Sequence, residues 1–567
     1  MSTARRALTL LIVLLTGTAV AVTGPSAVGQ ATTTTSSVRG SDGRQYSVTN
    51  HLTAEARVRG EPRREWLLVW AGAADATGPD FVAVLDATEG SRTRGAVVNT
   101  ATVDGLTGNE PHHVQYLWHK GQRVYAGGLM SDTVFVLDVS RLPEVRLAGV
   151  NLPADTPCGS VPDAFWVLRD GTAYGSYMGG PNVSGPCTYS NGETRVGNGF
   201  AGSPGEVVRL APDGRTLAEA PAATAAGEDP ASCLNVPALP LATCANPHGI
   251  QVREDLGRMV TSDFFEVRHL IAPNVPPGAN VARDTVRIFD ISDLDAPELL
   301  SVSKMPDGPR VEAEPAEEEP RPVMETTVTN RPEHRGAFAS TMNGAIYYTP
   351  DITAAEPRWR QVFDDAAAFG AVFPHDPPRS GGSAGAWLQT SPDDRFLFHV
   401  VLRGGPGSAH AETGLVYALD IRELLRSGGD PQCAVDTLAE VAAGGAEPDC
   451  PALAGVVPVQ DPTTGGPHWG AMDNFELGRD GYYHETDRIR RLAVSNYFAA
   501  PTGLDGDHRV CLVNVGPRGD LALDRTFRDR GQSRPCVDFD RTRWPHGARG
   551  PARPHGVLFA VADRDVR

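Results

Sequence analysis

FVAVLDAT, which begins at Phe81, decides how the chain is read. Its apolar residues alternate and then reach an aspartate, the pattern of a half-buried strand entering a turn. The phrase returns as VFVLDVS from Val134, VRIFDIS from Val286, VYALDIR from Val416 and VCLVNVG from Val510. Weaker copies are EVVRLAPDG near Val207 and WRQVFDD near Val362. Ahead of most copies lies a strand, a tight turn and a second strand, as in LWHKGQRVYAGGL, VLRDGTAYGSYM, MNGAIYYTPD and SPDDRFLFHVV. Lys120-Gly121, Asp170-Gly171, Asn343-Gly344 and Asp480-Gly481 carry hairpin-turn chemistry. No amphipathic helical pattern persists, so the chain is expected to be all-β. Seven recurrences of one small antiparallel sheet predict a seven-bladed β-propeller. Two β-sandwiches in tandem would also supply short strands, but would not repeat an aspartate-terminated strand along the whole chain.

The chain of 567 residues opens MSTARRALTLLIVLLTGTAVAV, in which Arg5 and Arg6 precede an apolar run from Ala7 to Val22 and then small residues. That is the layout of a secretory signal; an uncleaved anchor would need ~20 apolar residues. Residues 1–29 are therefore expected to be a signal peptide, cut after Ala21 or after Gly29. Residues 30–60 are expected to be a flexible leader containing ATTTTSS, and 61–567 the propeller. Within it VEAEPAEEEPRP, 311–322, reads as a solvated acidic loop. The mature chain is expected to be secreted or extracytoplasmic, with no transmembrane segment. A net charge of −18 and a pI near 5.3 argue against nucleic-acid binding, which needs a basic footprint. All eight cysteines follow the signal, and in an oxidising compartment they read as disulfides. Of the 105 connectivities that eight cysteines permit, sequential pairing (Cys158–Cys187, Cys233–Cys244, Cys433–Cys450, Cys511–Cys536) staples local loops and is preferred.

Six of the 15 histidines follow a proline, where 46 prolines in 567 residues would place about one by chance, so the step is a repeated device. The steps are Pro111-His112, Pro247-His248, Pro374-His375, Pro467-His468, Pro545-His546 and Pro554-His555. In a propeller the first strand of each blade is innermost. His112, His113, His248 and His468 stand just before such strands, His375 lies in the lead-in to the unit near Gly385, and His555 starts the closing segment. These rings would converge at the channel mouth, on loops stiffened by proline. Grouped neutral imidazoles suit Cu, Zn, Fe or Ni, with copper favoured by affinity. Taken singly, each histidine reads more readily as a loop residue bonded to backbone; the case rests on the set. Trp469 and Trp118 could wall the pocket or pack between blades. No G-x-S-x-G, H-E-x-x-H or P-loop competes, and the many turn aspartates form no EF-hand-like loop.

PDFVAVLDATEGSRTRGAVVNTATVDGLTGNEPHHVQYLW, Pro79 to Trp118, resembles the selenium-binding protein / methanethiol oxidase family, whose members carry P-D-F-L-A-V-V-D and then Glu-Leu-His-His before a Trp. SPDDRFLFHVVLRGG is similar to the family's S-x-D-D-R-F-L-Y-F-S-N-W-x-x-G, and GGPHWGAMDNFELGRDG to its G-G-P-Q region. The ending, from SNYFAAPTGLDGDHRVCLVNV to ARPHGVLF, follows the family's closing order of strand, long loop, strand and Ala-His-Glu. The resemblance implies a seven-bladed propeller with a copper centre that converts methanethiol, O2 and water to formaldehyde, hydrogen sulfide and hydrogen peroxide. It implies that His112 and His113 correspond to the family's paired histidines, His555 to its C-terminal one, and His248 to a comparable blade start. Two features depart from the pattern. Where the family has His-x-x-His-Cys, this chain reads GSVPDAFWV from Gly159, and the cysteines that follow the family's His-His pair are missing after Trp118. A retained metal site would then have lost ligands or recruited His375, His468 or His546, with a changed activity. The expected ligands are His112, His113, His248, His468 and His555, binding copper and acting on a small-molecule substrate such as a thiol. The alternative is a non-catalytic secreted propeller, a scaffold or binding module.

Overall fold

The computed structural model describes residues 32–57, 63–106, 108–271, 282–306, 322–375, 384–402, 413–428, 451–459, 466–499 and 505–567. The fold is an all-β propeller, and the α-helices among the described residues are three short ones, Arg268–Ile271, Asp365–Val372 and Arg422–Arg426. None is long and apolar enough to cross a membrane.

A regular blade consists of four antiparallel strands paired in chain order, as in Pro111–Val114, Val124–Gly128, Thr133–Asp138 and Arg146–Asn151. Blades of the same plan begin at Ser160, Pro247, Val323 and Gly385. A sixth begins at Trp469 and adds a fifth strand, Val537–Asp538, beside its third. The remaining sheet is composite and has seven strands. In it the C-terminal strand Gly550–Val561 pairs with Glu65–Ala73, and the sheet continues outward through Phe81–Asp86, Val97–Val103, Gln45–Leu52 and Thr32–Arg39. The first strands touch one another in succession, and Gly550–Val561 bridges the strands that begin at Trp469 and Pro111, so the two ends of the chain close the ring.

The aspartate-terminated phrase is the third strand at Phe81, Val134, Val207, Val286, Val416 and Val510. Its aspartate turns the chain: Asp86, Asp138 and Asp290 accept hydrogen bonds from the backbone N–H of Thr88, Ser140 and Ser292, at 3.0, 2.9 and 2.7 Å. WRQVFDD is the exception. Arg360–Asp364 is a fourth strand, and AIYYT, Ala345–Thr349, holds the third place after the turn at Gly344, whose φ is 86°. Alternation marks a half-buried strand of either rank, so it does not number the strand.

The expected leader is a strand pair instead. Thr32–Arg39 and Gln45–Leu52 form a hairpin around the turn at Gly43, and Val48, Asn50 and Leu52 bury one face of it against the sheet. Threonine and valine favour extended backbone, and a partner edge at Val97–Val103 was available to pair them. Disulfides Cys158–Cys187, Cys233–Cys244 and Cys511–Cys536 form as expected, and accord with an oxidising environment. Cys433, Cys450, the segment 1–29 and all of the acidic loop except Pro322 lie outside the described residues.

Candidate metal centre

The repeated proline has a structural role in the pairing of the first strands. Strand Pro111–Val114 loses register with its neighbour between Pro111 and Val114, and His112 and His113 are the residues released. The same break falls between Pro247 and Ile250, at His248, and between Pro554 and Gly556, at His555. Proline has no N–H for the ladder, so it sits where pairing lapses, and the bulge turns the next side chain toward the axis. His468 follows Pro467 directly ahead of strand Trp469–Met472. Hydroxyls from the preceding blade hold the bulged carbonyls. Ser262 and Ser340 donate to the Met324 and Ala386 carbonyls at 2.9 Å, and Ser176 and Ser495 donate to those of His248 and His555.

Five imidazoles meet as a result. His112 and His113 stack with ring centres 4.3 Å apart, and His555 lies 4.1 Å from His112. His468 is 4.9 Å from both His113 and His555, and His248 is 5.0 Å from His113. Asp163 reaches into the group: Oδ1 is 2.9 Å from His112 Nε2, and Oδ2 is 3.2 Å from His113 Nδ1 and 3.8 Å from His248 Nε2. Glu325 Oε1 stands 3.1 Å from His248 Nδ1, while its Oε2 accepts a hydrogen bond of 2.8 Å from the Tyr116 hydroxyl. Trp469 lies against His113 at 3.9 Å between ring centres, tilted by 23°, and Phe264 and Phe498 pack edgewise on His248 and His468.

The cluster is dry. His113, His468 and His555 are 0% exposed, His248 1% and His112 5%. Burial, together with the neighbouring rings, holds His113, His468 and His555 neutral, well below the usual histidine range. For His248 burial opposes charge, but the Asp163 and Glu325 carboxylates outweigh it and push the ring up to about 9. Burial pushes the Glu325 carboxyl up. Buried polar atoms are normally satisfied, yet His112 Nδ1, His113 Nε2, His468 Nε2 and His555 Nδ1 have no hydrogen-bond partner. Imidazoles with orphaned nitrogens beside a carboxylate are a donor set for a transition-metal ion. Two sets of atoms lie close enough to hold one, His112, His113, Asp163 and His248, and His113, His468 and His555, each within 4.8 Å.

All five histidines expected at the centre are therefore brought together. His375 is exposed beyond the helix Asp365–Val372, and His546 packs against Phe81 and Trp544 and bonds Thr100, so neither joins. Of the two tryptophans, Trp469 walls the cluster, while Trp118 packs against Phe475. Asp163 and Glu325 were not anticipated. Asp163 had a signal: it follows Pro162 in GSVPDAFWV and leaves the register between Pro162 and Phe165, as His112 and His248 leave theirs. Glu325 occupies the same place in the blade beginning at Val323, without a proline immediately before it.

The sequence matches no protein-family model and no curated protein. A hypothetical selenium-binding protein from Sulfolobus tokodaii superposes with a TM-score of 0.55 at 16% identity, over 88% of this chain and 94% of that one. A periplasmic gluconolactonase from Pseudomonas aeruginosa gives 0.46 at 11% identity, over 88% and 99%. The first likeness places the chain in a distant β-propeller relation.

Proposed function

We propose that this chain is an exported metal-binding propeller whose histidine centre holds copper and oxidises a small thiol with O2. The observation that carries the reading is the set of buried, unpartnered imidazole nitrogens where the first strands converge. With the composite sheet counted as the closing blade, the propeller has seven blades, and 1–29 serves as the export signal. Copper heads the affinity order for imidazole donors and, when bound, supplies a thiolate-binding centre that passes electrons to oxygen. The chain does the rest. Asp163 and Glu325 orient the His112, His113 and His248 rings through the nitrogens they face. Trp469, Phe264 and Phe498 pack on the rings and shield them from water, and His112, at 5%, is the most exposed of the five. The test is oxygen uptake and peroxide formation by the copper-loaded native chain given methanethiol, with loss of both in His113→Ala. Failure to retain copper through dialysis would sink the metal reading.

Burial of the centre favours a second reading, a non-catalytic propeller in which the metal pins the ring shut. Firm copper retention with no thiol-dependent oxygen uptake would select it.

A further inference from the structure

We infer that the centre takes two metal ions side by side rather than one: His112, Asp163 and His248 hold the first, and His113, His468 and His555 the second. This rests on the metal-binding reading above and goes beyond it in number and in the division of ligands. Bonds of ~2.0–2.2 Å bring the donors of a single ion within about 4.4 Å of one another. The six donors form two compact sets rather than one, with His113 common to both. The ring of His113 decides its own place. Its Nδ1 is engaged by Asp163 Oδ2 at 3.2 Å, whereas Nε2 is buried without a partner. Its free nitrogen is therefore left for the second set, with His468 and His555.

Each ion then has three protein donors and an open position, the usual form of a reactive site. Two cations close together need negative charge between them, and Asp163 supplies a carboxylate that faces three rings, with Glu325 behind His248. Paired metal sites ~3.5–4 Å apart act as a clamp on one small ligand.

The experiment counts metal on the native exported chain with its disulfides intact. The protein is stripped with a chelator, loaded with Cu(II) alone or Zn(II) alone, desalted, and its metal measured against protein. Two ions per chain are expected, falling to one in His248→Ala and one in His468→Ala, and to none in the double variant. One ion per wild-type chain overturns the second position and leaves the metal reading standing; none overturns both. The wild-type chain needs no variant to fold. Its Cu(II) form should give a paramagnetic resonance intensity well below its copper content, because neighbouring ions couple, and a full-intensity isolated Cu(II) spectrum would overturn the pair.

Discussion

His468 Nδ1 stands 2.9 Å from His555 Nε2, across the joint where the last regular blade meets the C-terminal strand. The two residues are 87 positions apart, and only the closed ring brings them together. An ion that bonds both is bound by the closed ring alone, and stabilises it by about 2.7 kcal/mol at a hundredfold excess over Kd. Copper should therefore raise the melting temperature of the chelator-stripped protein, and His555→Ala should reduce the rise. A melting temperature indifferent to copper in the wild-type chain would count against the centre.

Asp163 faces three of the five rings without adding an imidazole. Asp163→Asn keeps the shape and removes the charge. Metal affinity, measured by competition with a chelator of known strength, should fall about 10–100-fold. An unchanged affinity would mean that the carboxylate neither binds nor orients.

Ser340 and Ser495 make the same contact in different places, since only the second holds the backbone of a cluster histidine. Each alanine variant orphans a buried carbonyl and should cost about 1–3 kcal/mol in denaturant unfolding. Ser495→Ala should in addition weaken metal binding, because His555 loses its anchor, whereas Ser340→Ala should not. Equal metal affinities would refute the positioning role of Ser495.

Asp80 is fully buried, and burial raises its carboxyl from 3.8 to about 7, a shift partly offset by Asn109. Its folded value exceeds its unfolded one, so the folded chain holds the proton more tightly. The stability this provides is complete below pH 3.8 and is lost as the pH rises to about 7. Asp80→Asn removes the dependence. The variant should gain stability over wild type, on the order of a few kcal/mol, between pH 4 and pH 8. Unfolding curves that differ by a constant across that range would exclude it.

Deleting residues through 52 uncovers Val97–Val103, a strand whose seven residues are all buried. An exposed apolar edge strand recruits other chains. The truncated protein should aggregate on size-exclusion chromatography where the full chain does not; a monomeric truncation would show that the hairpin is dispensable.

Much of the centre was legible because histidine is scarce in this chain and both proline and histidine are chemically specific. A proline inside a strand forces a break in the ladder, and the break aims the following residue, so Pro111, Pro247, Pro467 and Pro554 announced His112, His248, His468 and His555. The rule overreached at His375 and His546, whose prolines lie in surface turns rather than first strands. It fell short at Asp163, where the same proline step precedes a carboxylate rather than an imidazole, because carboxylates are common in turns.

Periodicity and turn residues, both local properties, determined that this chain forms short strands, where most of them turn, and which residues could serve a metal. The tertiary structure alone decided that Thr32–Leu52 joins the composite sheet, that Arg360–Asp364 is an outer strand, and that Asp163 and Glu325 face the histidines. Those outcomes depend on which edges are free when the ring closes, and pairing between separate segments leaves no trace in either segment by itself.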